Sequence, residues 1–363
     1  MTSLDPFVLR GLHLRNRVAV AAMSRMQANA DGTVSRDMPA YYARFARNGA
    51  GLVVTEAAFT DTVASRAYFD QPGLATDAQG ESWLPVTRAV HAEGGVLFAQ
   101  LQHGGRLAEP GLNPLHLCAS DGTAAGTAWQ SGRPNAPARA ATTGEIDAIV
   151  ETFAQAARRA CHAGFDGVEL HGARGYLLDA FLSASTNRRT DAFGGSLEGR
   201  LRLPLRVVRA VREAIGDRPL AYNLSLYKMD DTAYQPPGGA DEMRAIARAL
   251  AAAGVDVLHV TTRRLARAEP WGEPLVRTVR DAVPDALVIG NGGLRTLDDA
   301  REAMAATGCD AVSFARGWLA NPDFIRACRA GEPLKAYAPG DERLPLAGRA
   351  DPRATDRIGI DAG

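Results

Sequence analysis

The sequence predicts an α/β protein of the (β/α)8 TIM-barrel class, folded as a single domain. Three observations carry the prediction: short β-branched apolar runs alternate with helical patterns, eight such units follow one another, and no G-x-G-x-x-G follows the first run. Alternation of this kind implies a parallel sheet with helices outside it. Eight units imply that the sheet closes into a barrel, because an open nucleotide-binding sheet would need the glycine fingerprint.

The predicted strands are apolar along their whole length, as strands buried on both faces should be. In chain order they span residues 18–23, 51–56, 95–101, 166–170, 220–224, 255–260, 286–290 and 311–314. The predicted helices span residues 38–47, 82–93, 142–163, 197–215, 240–253, 273–282, 296–306 and 321–330. Thr142-x-x-Glu145 is a capping box that opens the third helix. Four helices are predicted to end before a glycine, at Gly164, Gly216, Gly254 and Gly308.

Composition is that of an ordinary globular protein of 363 residues, 46% hydrophobic and 23% charged. Lys+Arg and Asp+Glu balance at 41 each, so nothing indicates a nucleic-acid partner. The four cysteines form no CxxC pair, which argues against a disulfide framework or a zinc site and fits a reducing compartment. The first apolar stretch is too short for a signal core or a membrane span. We therefore expect a cytoplasmic protein without a membrane partner.

Two segments lie outside the regular alternation. Residues 103–141 are rich in Gly and Pro and show no clear period, and a loop of that length is usually functional. We place the barrel at residues 1–337 and a tail at 338–363, rich in Pro, Gly, Arg and Asp. The tail is expected to be extended or poorly ordered, or to dock on a neighbouring subunit of a homo-oligomer.

Barrel enzymes carry their chemistry at the C-terminal ends of the strands. After the seventh strand comes Gly290-Asn-Gly-Gly293, and after the eighth comes Arg316. A glycine turn exposes backbone N–H groups and an arginine adds a fixed positive fork, so the two together predict a phosphate site. Either feature alone would fit a tight turn or a surface salt bridge.

Other strand ends supply polar side chains. Gln100 can donate and accept, as an edge partner of a flavin pyrimidine ring would, although an ordinary polar strand end explains it equally well. His103, His171 and His259 lie on different strands without a matching carboxylate pattern, so a metal hydrolase is disfavoured. A triad hydrolase would need a GxSxG elbow, which the chain lacks. The densest cluster of donors is His171, Arg174 and Tyr176, expected in the loop after the fourth strand.

Six segments of the chain resemble the Old Yellow Enzyme family of FMN-dependent ene-reductases. They are Leu14-Arg-Asn-Arg-Val-Ala-Val-Ala-Ala-Met-Ser-Arg25, Tyr41-Tyr-Ala-Arg-Phe-Ala46, Gln100-Leu-Gln-His-Gly-Gly-Arg106, His171-Gly-Ala-Arg-Gly-Tyr-Leu-Leu-Asp179, Asn187-Arg-Arg-Thr-Asp-Ala-Phe-Gly-Gly195 and Ser313-Phe-Ala-Arg-Gly-Trp-Leu-Ala-Asn-Pro322. The resemblance spans about residues 5–335, and the last three segments are the most specific.

This resemblance implies an FMN at the barrel mouth, reduced by NADH or NADPH, and a small-molecule substrate with an activated C=C bond. It implies cofactor contacts from eight residues: Ser24, Ala57, Gln100, Asn223, Gly292, Gly293, Ala315 and Arg316. In the family, a histidine and an Asn or second His hydrogen-bond the substrate carbonyl and stabilise the enolate that forms after hydride transfer. A tyrosine then protonates the α-carbon. His171 and Tyr176 match these two roles.

The chain departs from the family pattern at two functional positions. Arg174 stands where the pattern has Asn or His, and Asn223 stands where it has an Arg beside flavin N1 and O2. Ala22 in place of a usual Pro is a milder change. Loss of the cation beside N1 should lower the flavin potential. Gain of a planar guanidinium on the substrate side suits a carboxylate or phenolate.

The sequence leaves alternatives open. Arg174 could bind an anionic substrate, or it could turn away to a surface carboxylate and leave a weaker ene-reductase. A second possible function is a biosynthetic isomerase or desaturase of an anionic or phenolic substrate that uses NAD(P)H poorly. A third is a flavin-free barrel that binds an anionic ligand.

Overall fold

A computed structural model of the chain describes residues 4–338 and Leu346. Its strands, in chain order, are β1 Phe7–Leu9, β2 Leu12–Leu14, β3 Val18–Val20, β4 Leu52–Val54, β5 Ala58–Phe59, β6 Leu97–Gln102, β7 Leu117–Cys118, β8 Arg139–Ala140, β9 Gly167–Arg174, β10 Leu220–Lys228, β11 Val257–Thr261, β12 Leu287–Asn291 and β13 Ala311–Phe314. Its helices are α1 Met38–Arg47, α2 Asp77–Ser82, α3 Leu84–Ala92, α4 Thr143–His162, α5 Leu177–Leu182, α6 Leu197–Ile215, α7 Gly239–Ala252, α8 Leu275–Ala282, α9 Leu297–Thr307, α10 Arg316–Ala320 and α11 Phe324–Ala330.

Eight of these strands form a closed parallel barrel. Their spatial order is β4-β3-β13-β12-β11-β10-β9-β6, and pairing of β4 with β6 closes the ring. The predicted (β/α)8 fold class is therefore confirmed. The β1–β2 hairpin covers the N-terminal end of the barrel, since Leu9 and Leu14 pack in one apolar cluster with Phe98 and Val257. The C-terminal ends of the barrel strands, on the opposite side, are not covered by this hairpin.

Local signals fixed several helix ends as expected. The Thr142 side chain accepts from the Glu145 N–H and the Glu145 side chain accepts from the Thr142 N–H, so the capping box that opens α4 is formed. At the end of α9, Gly308 has a left-handed φ of 70° and donates back to Met304. The helix predicted over residues 82–93 corresponds to α3, which spans Leu84–Ala92. The short helix α2 before it was not predicted; it ends ahead of Trp83, because Pro85 in the first turn of α3 cannot continue a preceding helix.

The fourth and fifth barrel strands are longer than predicted. β9 runs to Arg174 and β10 to Lys228, and the two pair parallel with Asn223 opposite His171. Placing His171 and Arg174 in a loop was therefore wrong: both lie on β9. Backbone pairing continued past the apolar run because ladder hydrogen bonds do not depend on apolar side chains.

Within the part of the chain that the structure describes, no helix is both long and apolar enough to cross a bilayer. Nearly all of the predicted tail lies outside the described residues. Leu346 is described, and its N–H donates to Gln27 Oε1 at 3.0 Å. The domain boundary at residue 337 stays a prediction.

Candidate active site

The largest concentration of predicted site residues lies in one pocket at the C-terminal ends of the barrel strands. Its lining includes Ser24, Gln100, His171, Arg174, Tyr176, Asn223, Ala315 and Arg316. Residues far apart in sequence meet there because parallel strands of a closed barrel end on the same face. Ala57, Gly292 and Gly293 are not among the lining residues. Ala57 is buried, and its carbonyl accepts a hydrogen bond from Gln71 Nε2 at 2.8 Å.

The glycine turn after β12 has a backbone that other residues rarely adopt. Gly292 and Gly293 have φ angles of 143° and 70°. A Cβ on Gly292 would lie 2.4 Å from the carbonyl oxygen of Thr262, so the turn also excludes side chains sterically. Nearby, Arg316 begins α10 and lines the pocket, and no carboxylate of the described chain forms an ion pair with it. The arrangement fits a phosphate group.

A buried hydrogen-bond chain crosses the floor of the pocket and orients Gln100. Gln100 Nε2 donates to Glu169 Oε1 at 2.7 Å, and the other Glu169 oxygen lies 2.7 Å from His259 Nδ1. His259 Nε2 is in turn 2.7 Å from Ser313 Oγ. Since the Gln100 amide nitrogen faces Glu169, its oxygen faces away from that carboxylate. That oxygen is an acceptor suited to an N–H of a flavin pyrimidine ring.

Asn223 is fixed by its neighbours on β11. Its Nδ2 donates to the His259 carbonyl at 3.1 Å and to Thr261 Oγ1 at 2.9 Å. A backbone carbonyl can only accept, so the amide orientation is unambiguous. Both amide hydrogens are used, and the free capacity of Asn223 is that of an acceptor. This position therefore supplies neither a cation nor a donor to the pocket.

His171 is buried on β9 and is electrically neutral. Burial first, then the charges of Arg174 and His259, lower the pKa of His171 to about 3. Its ring packs edge-on against Tyr176, with centroids 4.8 Å apart. Its Nδ1 is buried and has no hydrogen-bond partner within the described chain. A buried polar atom without a partner in a pocket indicates a place for a ligand group.

Arg174 has a strained backbone and an unpaired guanidinium. Its φ of 62° is left-handed, a region that few residues other than glycine, Asn and Asp adopt. The conformation is held by Ser225 Oγ, which accepts the Arg174 N–H at 2.9 Å, and by the Met229 N–H, which donates to its carbonyl at 3.0 Å. The guanidinium lies 5.7 Å from the centre of the Tyr227 ring.

Within the described residues, Arg174 does not turn away to a surface carboxylate. Among residues 4–338 no Asp or Glu forms an ion pair with it, and the residue lines the pocket. Arg263 lies 5.6 Å from the centre of the same Tyr227 ring and likewise has no carboxylate partner there. Two positive charges therefore flank one aromatic ring with no anion of the described chain to balance them.

Tyr176 is buried beside His171 and contacts two further polar side chains. Its hydroxyl is in direct contact with that of Tyr68, and Gln102 also hydrogen-bonds it. Burial raises the pKa of Tyr176, while the hydrogen bonds from Tyr68 and Gln102 and the charge of Arg174 act in the opposite direction. The residue is therefore protonated at neutral pH and has groups around it that favour its anion.

Several lining residues were missed by the sequence analysis: Tyr68, Gln102, Trp129, Met229 and Leu319. Tyr68 and Trp129 lie in long loops without a periodic signal. Gln102 had a usable signal, because residues two apart on a strand share a face and Gln100 was already placed at the pocket.

Taken together, these features fit FMN. The glycine turn and Arg316 match a phosphate, and Gln100 matches the edge of the ring system. Within the described residues no cluster of His, Cys, Asp and Glu could hold a metal ion.

Comparison with known proteins gives consistent matches along the chain. The model of the NADH:flavin oxidoreductase / NADH oxidase family matches residues 4–335. The chain is 34% identical to an NADH oxidase of Thermoanaerobacter brockii over 335 residues, which is 88% of this chain and 49% of that protein, so it spans about half the length of that relative. It is 31% identical to a probable flavin mononucleotide-dependent alkene reductase of Leishmania infantum, covering 93% of this chain and 92% of the relative.

A solved structure matches over nearly the whole chain. The Old Yellow Enzyme homologue from Zymomonas mobilis superposes with a TM-score of 0.86 at 30% identity, covering 94% of this chain and 96% of that one. The likeness therefore extends over nearly the whole of both chains.

Proposed function

The chain belongs to the NADH:flavin oxidoreductase / NADH oxidase family, and we propose that its substrates are activated alkenes that carry or develop a negative charge. It is an FMN-dependent oxidoreductase of the Old Yellow Enzyme type that acts on C=C bonds. A nicotinamide is the reductant, and the choice between NADH and NADPH stays open. The relatives are reductases and oxidases, which favours reduction of the substrate over the isomerase or desaturase alternative. Membership of a flavin oxidoreductase family favours a flavin enzyme over the flavin-free barrel.

The proposal rests on one observation: Arg174 lines the pocket, where its charge acts on His171 and Tyr176, and it has no carboxylate partner within the described chain. An unpaired guanidinium beside a buried pocket favours an anionic ligand, because a carboxylate or phenolate can accept two of its N–H groups. Arg263, two residues after the end of β11, lies 5.6 Å from the centre of the Tyr227 ring and adds positive potential there. A neutral enone would leave this charge uncompensated.

The remaining residues then take the following roles. Bound FMN would supply the hydride-transfer chemistry between the nicotinamide and the alkene. We assign the phosphate to Gly292, Gly293 and Arg316, and the ring edge to Gln100, with Ser24, Ala57, Ala315 and Asn223 around it. His171, being neutral, donates one ring N–H to the substrate carbonyl oxygen and stabilises the developing enolate.

Tyr176 completes the reaction by protonating the substrate α-carbon. Its ring packs edge-on against the His171 ring, so the oxyanion donor and the proton donor lie side by side in the pocket. Arg174 holds the anionic group of the substrate and, with it, the orientation of the double bond.

Ligand titration of the FMN-loaded enzyme tests the proposal. Benzoate and its neutral isostere benzamide are titrated by the change in flavin absorbance, in the wild type, Arg174→Asn and Arg267→Asn. We expect Arg174→Asn to weaken benzoate binding roughly 10- to 100-fold, as loss of a charged hydrogen bond should, and to change benzamide binding by less than about threefold.

Arg267→Asn is the matched control, since Arg267 is exposed in the loop after β11 and does not stack on Tyr227. This variant also removes one positive charge, but one outside the pocket lining, and it should leave the affinities for benzoate and benzamide nearly unchanged. Equal losses for benzoate and benzamide in Arg174→Asn would contradict an anionic substrate class.

A further inference from the structure

Gln71 and the pocket-lining Gln102 have amide orientations that can be traced to backbone groups. Gln71 Nε2 donates to the Ala57 carbonyl at 2.8 Å, and Gln71 Oε1 accepts from the N–H groups of Ala67 at 2.7 Å and Tyr68 at 3.3 Å. Carbonyl groups only accept and backbone N–H groups only donate, so the oxygen and nitrogen of Gln71 cannot be exchanged. The polarity of the whole network starts from this residue.

Gln71 passes that polarity to Gln102. The second hydrogen of Gln71 Nε2 goes to Gln102 Oε1 at 2.9 Å. A reversed Gln102 would place two amide nitrogens in contact, so its oxygen faces Gln71 and its nitrogen is left for the pocket, which Gln102 lines together with Tyr176. The amide nitrogen is the donor of Gln102 toward Tyr176, and this interaction lowers the pKa of Tyr176.

Tyr68 supplies a second donor to the same oxygen. The two hydroxyls are in contact, and the backbone N–H of Tyr68 is held by Gln71, so Gln71 anchors both partners of Tyr176. Burial raises the pKa of Tyr68 well above its usual value, and its contact with Tyr176 raises it further. Since the Tyr176 hydroxyl donates to Met229 Sδ at 3.5 Å, the Tyr68 hydroxyl is the donor in the contact between the two tyrosines.

Because Gln102 and Tyr68 both donate to it, the Tyr176 oxygen has no further acceptor position for another donor. Its own hydrogen then has one weak neighbour in the described chain, Met229 Sδ at 3.5 Å at the partly exposed rim. The hydrogen is left available to the pocket.

We propose that Gln71, Gln102 and Tyr68 are positioning residues that fix Tyr176 as a proton donor and stabilise the phenolate it leaves behind. The inference rests on the proposed role of Tyr176. In the step concerned, the Tyr176 O–H bond breaks and a C–H bond forms at the substrate α-carbon. The negative charge passes from the substrate enolate to the Tyr176 oxygen, where two donors receive it, and water later returns the proton.

The first test measures Tyr176 directly. The FMN-loaded enzyme carries 3-fluorotyrosine at position 176 alone and is titrated by 19F NMR as wild type, Gln102→Met and Gln102→Glu. Met keeps the length of the side chain without a donor, and Glu presents an oxygen that accepts from Tyr176. We expect the pKa of Tyr176 to rise in Gln102→Met and to rise further in Gln102→Glu. One common pKa for all three proteins overturns the inference.

A kinetic readout accompanies the titration. Loss of one hydrogen bond to the developing phenolate should slow proton transfer about tenfold. Reoxidation of the reduced enzyme by 2-cyclohexenone should then show a larger solvent deuterium isotope effect in Gln102→Met than in the wild type. An unchanged isotope effect together with an unchanged pKa counts against the role of Gln102.

Gln130→Ala is the matched control for loop anchoring. Gln130 binds the backbone of Phe69, next to Tyr68, at 2.8 Å and 3.2 Å, but it makes no hydrogen bond to Tyr176. We expect this variant to leave the pKa of Tyr176 in place. If it moves the pKa as far as Gln102→Met does, the glutamines merely hold the loop and the inference is wrong.

Two further variants keep the outcomes separable. Gln71→Met removes the hydrogen bond that orients Gln102 but keeps the Gln102 amide, so it should raise the pKa of Tyr176 by less than Gln102→Met does. If Gln71→Met leaves the pKa of Tyr176 unchanged, the inference is contradicted, and this result can be obtained even if the Gln102 variants do not fold. Tyr176→Phe tests the proposed function itself. If it still delivers a proton to the α-carbon at the wild-type rate, the role of Tyr176 fails, whereas a large loss with unmoved Gln102 variants rejects only the positioning role.

Discussion

The two sides of the pocket are built from different parts of the chain. Beside β12 and β13 the site consists of a glycine turn and the start of a helix, and it matches the expectation for a phosphate. Beside β9 and β10 it consists of side chains, and there Arg174 and Asn223 depart from the family pattern. The comparison leads us to propose that backbone geometry on the first side would hold the cofactor, while the side chains at two neighbouring strand ends on the second side set the charge that the flavin and the substrate meet.

The largest effect should come from filling the glycine turn. In Gly292→Ala the new Cβ would meet the Thr262 carbonyl at 2.4 Å at a φ of 143°. We expect a loss of roughly 2–4 kcal/mol in the free energy of unfolding and purification without bound FMN. Gly272→Ala is the control, because it also has a positive φ, 95°, with no neighbour within 4 Å. It should cost about 1 kcal/mol and retain flavin; full flavin in Gly292→Ala would break the comparison.

A smaller effect is expected from restoring a cation on the β10 side. Asn223 uses both amide hydrogens on β11 and offers the flavin no positive charge. Asn223→Arg should raise the two-electron midpoint potential by roughly 30–60 mV, measured by equilibration with a reference dye. Asn223→Leu removes the amide without adding charge and should give a smaller shift. Equal potentials for all three proteins would show that this position does not set the flavin charge.

The backbone strain at Arg174 predicts a gain in stability when the side chain is changed. Asn adopts the left-handed region more readily than Arg, so Arg174→Asn should raise the free energy of unfolding by about 1 kcal/mol in urea titrations. Arg174→Lys keeps the charge and the unfavourable φ, and it should bring no gain. A destabilised Arg174→Asn would mean that contacts of the guanidinium outweigh the strain.

The smallest effect concerns His171. The Arg174 charge helps to lower the pKa of His171, so Arg174→Asn should raise it toward its usual value and Arg174→Lys should not, as measured by NMR. The folded-state pKa lies below the unfolded one, so neutral His171 contributes stability above about pH 6.5 that is lost as the pH falls toward 3. In Arg174→Asn this acid-side loss should be shallower. An identical acid-side profile would contradict the coupling.

Local patterns accounted for the barrel and for most of the site. The alternation of apolar runs and helical periods depends on neighbours in sequence, so the eight units could be placed without any distant contact. Two features were not predicted: the short helix α2 before Trp83, and the full length of β9, which follows from its pairing with β10.

By itself, the sequence determined the closed barrel, the flavin family and the identity of the donors His171, Arg174 and Tyr176. Only the tertiary structure decided what those donors face. It left Arg174 without a carboxylate in the described chain, turned the Asn223 amide toward β11, and brought Tyr68 to Tyr176 across 108 residues. Spacing along a chain encodes which face of a strand a side chain occupies, whereas hydrogen-bond polarity and charge pairing depend on partners that only the folded barrel brings together.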